Sequence, residues 1–596
     1  MKIVNKLFKF LSHKDRNKAF LLIIMAIIMA LLETLGVASI LPFMTILSNP
    51  SLIETNLLIN RVYSFSLIFG VKEHKDFFIL LGIVVFILFI FTTTFKAITT
   101  YLLNKFIHMR EHSIGKILIE TYLRQPYAWF LNRNSAELGK NILSEAYLIM
   151  GNGFAPLMNL ISQLFIASFL IILLLLIDTK TALIMGLSFA FFYSVIYLFT
   201  KKILLSIGKK RIEVNENRFS SVQEAFRAIK IVKASNLEEI YLSKFYKNSK
   251  AFVQIQSLAA AMNLLPKFLL EIIAFGGIIL FVLFILFQNN DFSSTIPIVI
   301  LYTFAGYRIL PALQQIYASL SQLKYISPSL DTLHNDIYKN NSLANKTDQI
   351  EESLSFKKFI NLKDISFSYD GSPKKILKNI SFTIQSKSIV GIVGPSGSGK
   401  TTIIDIILGI LNSSNGSIEI DDIKLTAANI KSWQKLIGYV PQNVYLSDDT
   451  LASNIAFGVE KEKLNKQDLI KASKNANLDI FVERELELKY ETIVGEQGVR
   501  LSGGQRQRIG IARALYHSPK FLILDEATSS LDSETENKVM NCINSLKKDI
   551  TILIVAHRIS TLKNCDKILV INDGKLVAET TYDNLYKYQD SLPKNN

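Results

Sequence analysis

Six apolar runs begin near Phe20, Phe77, Gly153, Thr181, Ile272 and Phe292. Each is long enough to cross a bilayer, since about 20 helical residues cover the hydrocarbon core. A buried helix of a soluble protein could mimic one such run, but six within residues 1–339 of a 596-residue chain predict an α-helical membrane domain of six spans. The first reads as a span and not a cleavable leader: it is too long, lacks a small-residue cleavage site and is followed by further spans.

Charge gives the orientation. Nearly all of the formal net charge of +16 falls in residues 1–340. Among apolar runs, such an excess points to membrane orientation and away from nucleic acid. Lys2, Lys6, Lys9, Lys14, Arg16 and Lys18 precede the first span, and the segments 104–145 and 201–258 are long and rich in Lys and Arg. The turns "DTK" and "NND" are short by comparison. The N-terminus, both long segments and everything beyond about Leu320 are therefore expected in the cytoplasm. Apolar residues three and four apart in "RFSSVQEAFRAIKIVKA" predict that the long segments are helical extensions of the spans. Within them, "FLNRNSAELGKNILSE" and "NENRFSSVQEAFRAIKIVKASNLEE" are where contact with another domain is expected. Residues 340–356 turn polar and read as a linker. Cys542 and Cys565 are too few for a disulfide framework and fit no metal spacing.

The remaining residues, 357–596, read as an α/β nucleotide-binding domain. "SIVGIVGPSGSGKTTIIDIILGI" is a strand, a glycine loop and a helix, and satisfies G-x-x-x-x-G-K-[ST] with Gly394, Gly399, Lys400 and Thr401. Backbone N–H groups across Ser396, Gly397, Ser398, Gly399 and Thr402, with the helix N-terminus, suit phosphate oxygens. Lys400 would reach the terminal phosphates and Thr401 would ligate Mg2+. Two more apolar strands end in polar groups: "KFLILDE" in Asp525 and Glu526, "TILIVAH" in His557. Ligands bind at the carboxyl ends of strands in open α/β sheets, so these tips can converge on one nucleotide. Asp525 would hold the metal, Glu526 would polarise the attacking water and His557 would contact the γ-phosphate.

"GPSGSGKTT", "LSGGQRQR", "FLILDEATSSLD" and "IVAHR", in that order, resemble the ATP-binding cassette. The resemblance implies ATP as the nucleotide and places further residues. Tyr369 matches the aromatic that stacks on adenine. Gln442 in "YVPQN" matches the glutamine that touches the metal and senses the membrane domain. Asp532 matches the aspartate that couples two sites, and "VGEQG" resembles the exporter segment that meets the cytoplasmic helices. In that family the signature loop closes over ATP held by the other subunit. Ser502, Gly503, Gly504 and Gln505 would then act on a partner's nucleotide, which implies a half-transporter working with a second copy of itself or a related chain.

Six spans followed by a cassette resemble an ABC exporter of the bacterial cytoplasmic membrane. A DNA-repair ATPase with LSGGQ is disfavoured by the spans. A degenerate channel or regulator is disfavoured by the presence of Glu526 and His557. For the substrate, charges within spans usually face a cavity or a partner. Glu33, Lys267 and Arg308 are the candidates, either pairing with one another or lining a basic cavity for an anionic head group. "ETLGVASILPFMTIL" and "AGYRILPALQQIYASLSQLKYISPSLDTL" are similar to bacterial flippases of lipid-linked oligosaccharides. Export of another lipid, a drug or a peptide is the alternative.

Overall fold

The computed structural model describes residues 2–48, 50, 53, 56–69, 73–177, 179–287, 292–339, 352–369, 371–528, 530–556 and 558–591. They divide into two compact units, one of residues 1–125 and 132–342, the other of residues 126–131 and 343–596.

The first unit is helical. Among the described residues its long helices are α1 (His13–Ala38), α2 (His74–Leu123), α3 (Ala155–Ile177), α4 (Thr179–Arg227), α5 (Glu238–Phe287) and α6 (Phe292–His334). Ser12 starts α1, its hydroxyl accepting the Asp15 N–H at 3.3 Å, and a Glu73–Asp76 capping box starts α2. Three stretches are long and apolar enough to cross a membrane among the described residues: His13–Met44, His74–Leu123 and Ser135–Leu176. The runs near Thr181, Ile272 and Phe292 lie within α4, α5 and α6. The "NND" turn and Asp178 lie outside the described residues.

The helices pack through small and branched side chains. Met29, Ala30 and Val37 of α1 meet Ile166, Leu170 and Leu174 of α3 and Ala312 and Ile316 of α6. On α4, Gly208 lets two backbones approach: a Cβ there would sit 2.2 Å from the Tyr325 carbonyl of α6. Beyond the apolar stretches a buried ion pair ties three segments together. The Arg211 guanidinium donates to Glu145 at 2.6 and 3.3 Å and to the Ser329 hydroxyl at 2.6 Å. Asn215 adds a donor to Glu145 at 3.4 Å, and both charged residues are almost fully buried. Glu145 closes a π-helical turn, Asn141–Glu145.

The expected helical extensions are interrupted. α2 ends at Leu123 and a short helix follows at Tyr127–Leu131. Between α4 and α5 lies another, Ile229–Ala234. Residues 126–131 group with the second unit, where Ala128 packs on the sheet core.

The second unit holds two sheets. β1 (Phe359–Phe367), β2 (Leu377–Gln385), β4 (Asn415–Ile420) and β5 (Ile423–Lys424) form an antiparallel sheet in the order β2-β1-β4-β5. β3 (Ile389–Val393), β6 (Ile437–Val440), β7 (Phe521–Asp525), β8 (Thr551–Val555), β9 (Lys567–Asn572) and β10 (Lys575–Thr580) form the other, ordered β10-β9-β3-β8-β7-β6. All its pairings are parallel except β10 with β9. β3, β7 and β8 are buried throughout, as expected of parallel strands covered on both faces. Trp433 is fully buried beneath this sheet and donates its indole N–H to the Ile407 carbonyl at 2.7 Å. Leu354 and Phe356 are buried in the same core, and residues 340–351 lie outside the described residues. Both cysteines are free. Burial pushes the Cys565 thiol up to about 12, and its sulfur lies 3.2 Å from where a Cβ on Gly391 would be.

Candidate functional site

The parallel register aligns the strand ends. Val440 of β6 faces Leu524 of β7, and Asp525 faces Val555 of β8. The loops after β3, β6, β7 and β8 therefore leave one edge of the sheet together, where ligands collect in this class of fold.

After β3 the chain turns through Gly394–Gly399 into helix α7 (Lys400–Ile407). Two glycines make the turn possible. A Cβ on Gly394 would lie 2.0 Å from the Ile571 carbonyl, and Gly399 has φ +103°, with a Cβ 2.6 Å from Leu377. Ser396, Gly397 and Thr401 are exposed, while Ser398, Lys400 and Thr402 are buried. The Ser398 hydroxyl makes no hydrogen bond within the chain. Lys400 donates to the Gly394 and Pro395 carbonyls at 2.9 and 3.1 Å. Burial lowers its pKa, while the nearby carboxylates of Glu526 and Asp525 act the other way. One ammonium thus lies between the glycine loop and the β7 terminus.

Asp525 is buried at the end of β7. Glu526 follows with φ 49°, a left-handed conformation uncommon for a residue with a side chain. Its N–H is fixed by the Val555 carbonyl at 2.9 Å. Its carboxylate accepts from the Gln442 amide at 2.6 Å. Tyr369 lies within hydrogen-bonding distance of the Thr402 hydroxyl, 3.3 Å, and packs edge-on to Phe367.

The signature residues occupy the start of helix α8 (Gly503–Tyr516). Ser502 and Gln505 form a reciprocal capping box at 3.2 and 2.8 Å. Cβ atoms on Gly503 and Gly504 would lie 3.2 Å from Ser530 and 3.1 Å from Leu531, so both glycines allow close packing on the loop after β7. Asp532 ends that loop as the N-cap of helix α9 (Ser533–Ser545), accepting the Thr535 N–H at 2.9 Å, which holds its carboxyl below the usual range.

The remaining candidates separate. His557 lies outside the described residues, as does the side chain of Arg308. Glu33 is buried and accepts from Lys96 at 2.7 Å. Lys267 lies 3.9 Å from Glu271 on its own helix. Sequence reasoning missed Lys96, which sits among apolar neighbours of α2, and Gln507, a buried polar residue one turn into α8. The Gln507 side-chain carbonyl accepts the Ser530 N–H at 3.0 Å.

Asp405 of α7 is half-buried, and burial pushes its carboxyl up to about 6; Tyr127 and Tyr439 lie close enough to feel its charge. An unfolded aspartate titrates near about 3.9, so between there and about 6 the folded chain binds more protons. Stability is therefore expected to fall as pH rises through that window. Thermal midpoints between these values should decline with pH in the wild type, and Asp405→Asn should flatten the decline.

Fold and site together define a phosphate-loop nucleotide-binding unit in a chain that also carries a membrane-type helical unit. Residues 377–529 match the ABC transporter family profile, and residues 16–316 match the ABC transporter transmembrane region. An ATP-dependent lipid A-core flippase from Desulfotalea psychrophila is 30% identical over 78% of this chain and 80% of its own. The same-named protein of Vibrio vulnificus is 41% identical over 226 residues, which is 38% of each chain. The chain thus spans well under half the length of the first curated relatives it matches. A bacterial Atm1-family ABC exporter solved with ATP bound has the same fold, with TM-score 0.72 and 21% identity over 96% of both chains. The chain belongs to the ABC transporter family: its membrane unit is the transmembrane region and its α/β unit is the ATP-binding, ATPase domain.

Proposed function

We propose that this protein is a half-transporter whose paired copies bind and hydrolyse ATP to carry an amphipathic, anionic glycolipid outward across the bacterial cytoplasmic membrane. The observation that carries this reading is the convergence of Lys400, Asp525, Glu526 and Gln442 beside the glycine loop. In it, the loop N–H groups and the unpartnered Ser398 hydroxyl hold phosphate oxygens, and Lys400 exchanges its two carbonyl partners for the terminal phosphates. Thr401, Gln442 and Asp525 suit an Mg2+ that arrives with the nucleotide. Among the described residues no cluster of three or more His, Cys, Asp or Glu could hold a metal by itself. Tyr369 stacks on the base. Glu526 accepts a proton from the attacking water, His557 contacts the γ-phosphate, and Ser502–Gln505 complete the site of the partner copy, with Asp532 linking the two sites. ATP favours the closed pair, and hydrolysis releases it.

The substrate class is supported by the names of the relatives, which flip lipid A-core, and by the basic residues Lys96, Lys267 and Arg308 among the helices. A lipid-linked oligosaccharide shares that chemistry: its phosphates and hydroxyls cannot cross hydrocarbon without losing water. The test is translocation in proteoliposomes holding either a polyprenyl-pyrophosphate oligosaccharide or lipid A-core. ATP-dependent flipping of one by wild type, and not by Glu526→Gln, is the expected result. ATP hydrolysis with neither moved would discard the glycolipid and turn the search to other lipids, drugs or peptides.

A further inference from the structure

The loop from β7 to α9 carries Glu526 and Asp532, and it is also held by a residue outside the motifs. Glu536, in the first turn of α9, is only 8% exposed. One carboxylate oxygen accepts from the Thr528 and Thr561 hydroxyls, both at 2.9 Å. The other accepts from the Arg558 guanidinium at 3.0 Å. Thr528 lies two residues after Glu526. Arg558 and Thr561 belong to the turn that follows β8, one and four positions after His557 in sequence.

A buried carboxylate is tolerated only with such donors. What the carboxylate adds is register. β7 and β8 are neighbours, with Asp525 opposite Val555. Their exit loops are joined at the sheet by the Glu526 N–H on the Val555 carbonyl and, farther out, by Glu536. Gln507 holds the same loop from its other side through Ser530.

We propose that Glu536 is a positioning residue for ATP hydrolysis, its carboxylate holding the turn after β8 in register with the Glu526–Asp532 loop. This rests on the reading of Glu526 given above. Glu536→Gln in the full-length protein keeps the size and the acceptor facing Thr528 and Thr561, but sets an amide donor against the guanidinium. The expected result is a kcat for ATP lowered about tenfold or more, with KM and thermal midpoint near wild type. Adding Arg558→Gln restores a complementary pair and should return much of the lost kcat. Arg558 is half exposed, so Arg558→Gln alone keeps the test open if Glu536→Gln does not accumulate, and should lower kcat similarly. Wild-type turnover in Glu536→Gln, or in Arg558→Gln where only that variant accumulates, overturns the proposal. So does a kcat loss that tracks a falling midpoint and is not returned by the double change. Glu526→Gln measured alongside separates the two ideas, because near wild-type turnover there removes the role of Glu526 whatever Glu536 does.

Discussion

Glu526→Gln is expected to lower the ATPase kcat by about 10²–10⁴-fold while leaving ATP affinity within a few-fold of wild type. The substitution preserves shape and the contact with Gln442, since an amide can take the place of the carboxylate opposite the Gln442 amide. It removes the capacity to accept a proton. The backbone supports a dedicated role: a left-handed φ of 49° at a residue with a side chain costs about 1–3 kcal/mol and persists only where the surroundings fix it, here through the Val555 carbonyl. Steady-state turnover and equilibrium nucleotide binding, measured on the same preparation, check the expectation. Turnover at the wild-type rate would remove Glu526 as the base. Loss of binding in step with turnover would make it a binding residue instead.

The second large effect concerns the membrane unit. Arg211→Met is expected to destabilise it by about 3–5 kcal/mol, because the Glu145 carboxylate would stay buried with its ionic partner gone. Replacing both, as Arg211→Met with Glu145→Leu, should recover most of that loss, since two apolar side chains avoid the desolvation of two charges. Thermal unfolding of the detergent-solubilised protein reads both. Equal midpoints for wild type and Arg211→Met would mean that the pair carries no net stability.

The placement of Lys400, Asp525 and Glu526 beside one another was legible because these residues lie in short contiguous strings. A glycine loop must follow a strand and open a helix, so "GPSGSGKTT" fixes its own surroundings, and "FLILDE" does the same for Asp525 and Glu526. The pairing of charges between helices was not legible. Glu33 meets Lys96, 63 positions away, and Arg211 meets Glu145 across 66; pattern within a helix says which faces are apolar, not which neighbour will lie opposite. The break of the long helix after α2 was missed for a related reason. Tyr127–Leu131 is apolar enough to continue a span extension, and the packing of the partly buried Ala128 on the sheet core of the unit it groups with, which no local pattern encodes, decides its place. Glu536 escaped notice because its three donors come from segments 8, 22 and 25 positions away.

The surroundings of Cys565 have a practical consequence for labelling. Thiol reagents attack the thiolate, and burial that pushes the Cys565 titration up to about 12 leaves little of it at neutral pH. Cys542 and Cys565 are the two cysteines of the chain, and both are partly accessible to solvent. Replacing both by serine yields a background silent to maleimides, on which paired spin labels or fluorophores can be introduced at will in a lipid bilayer.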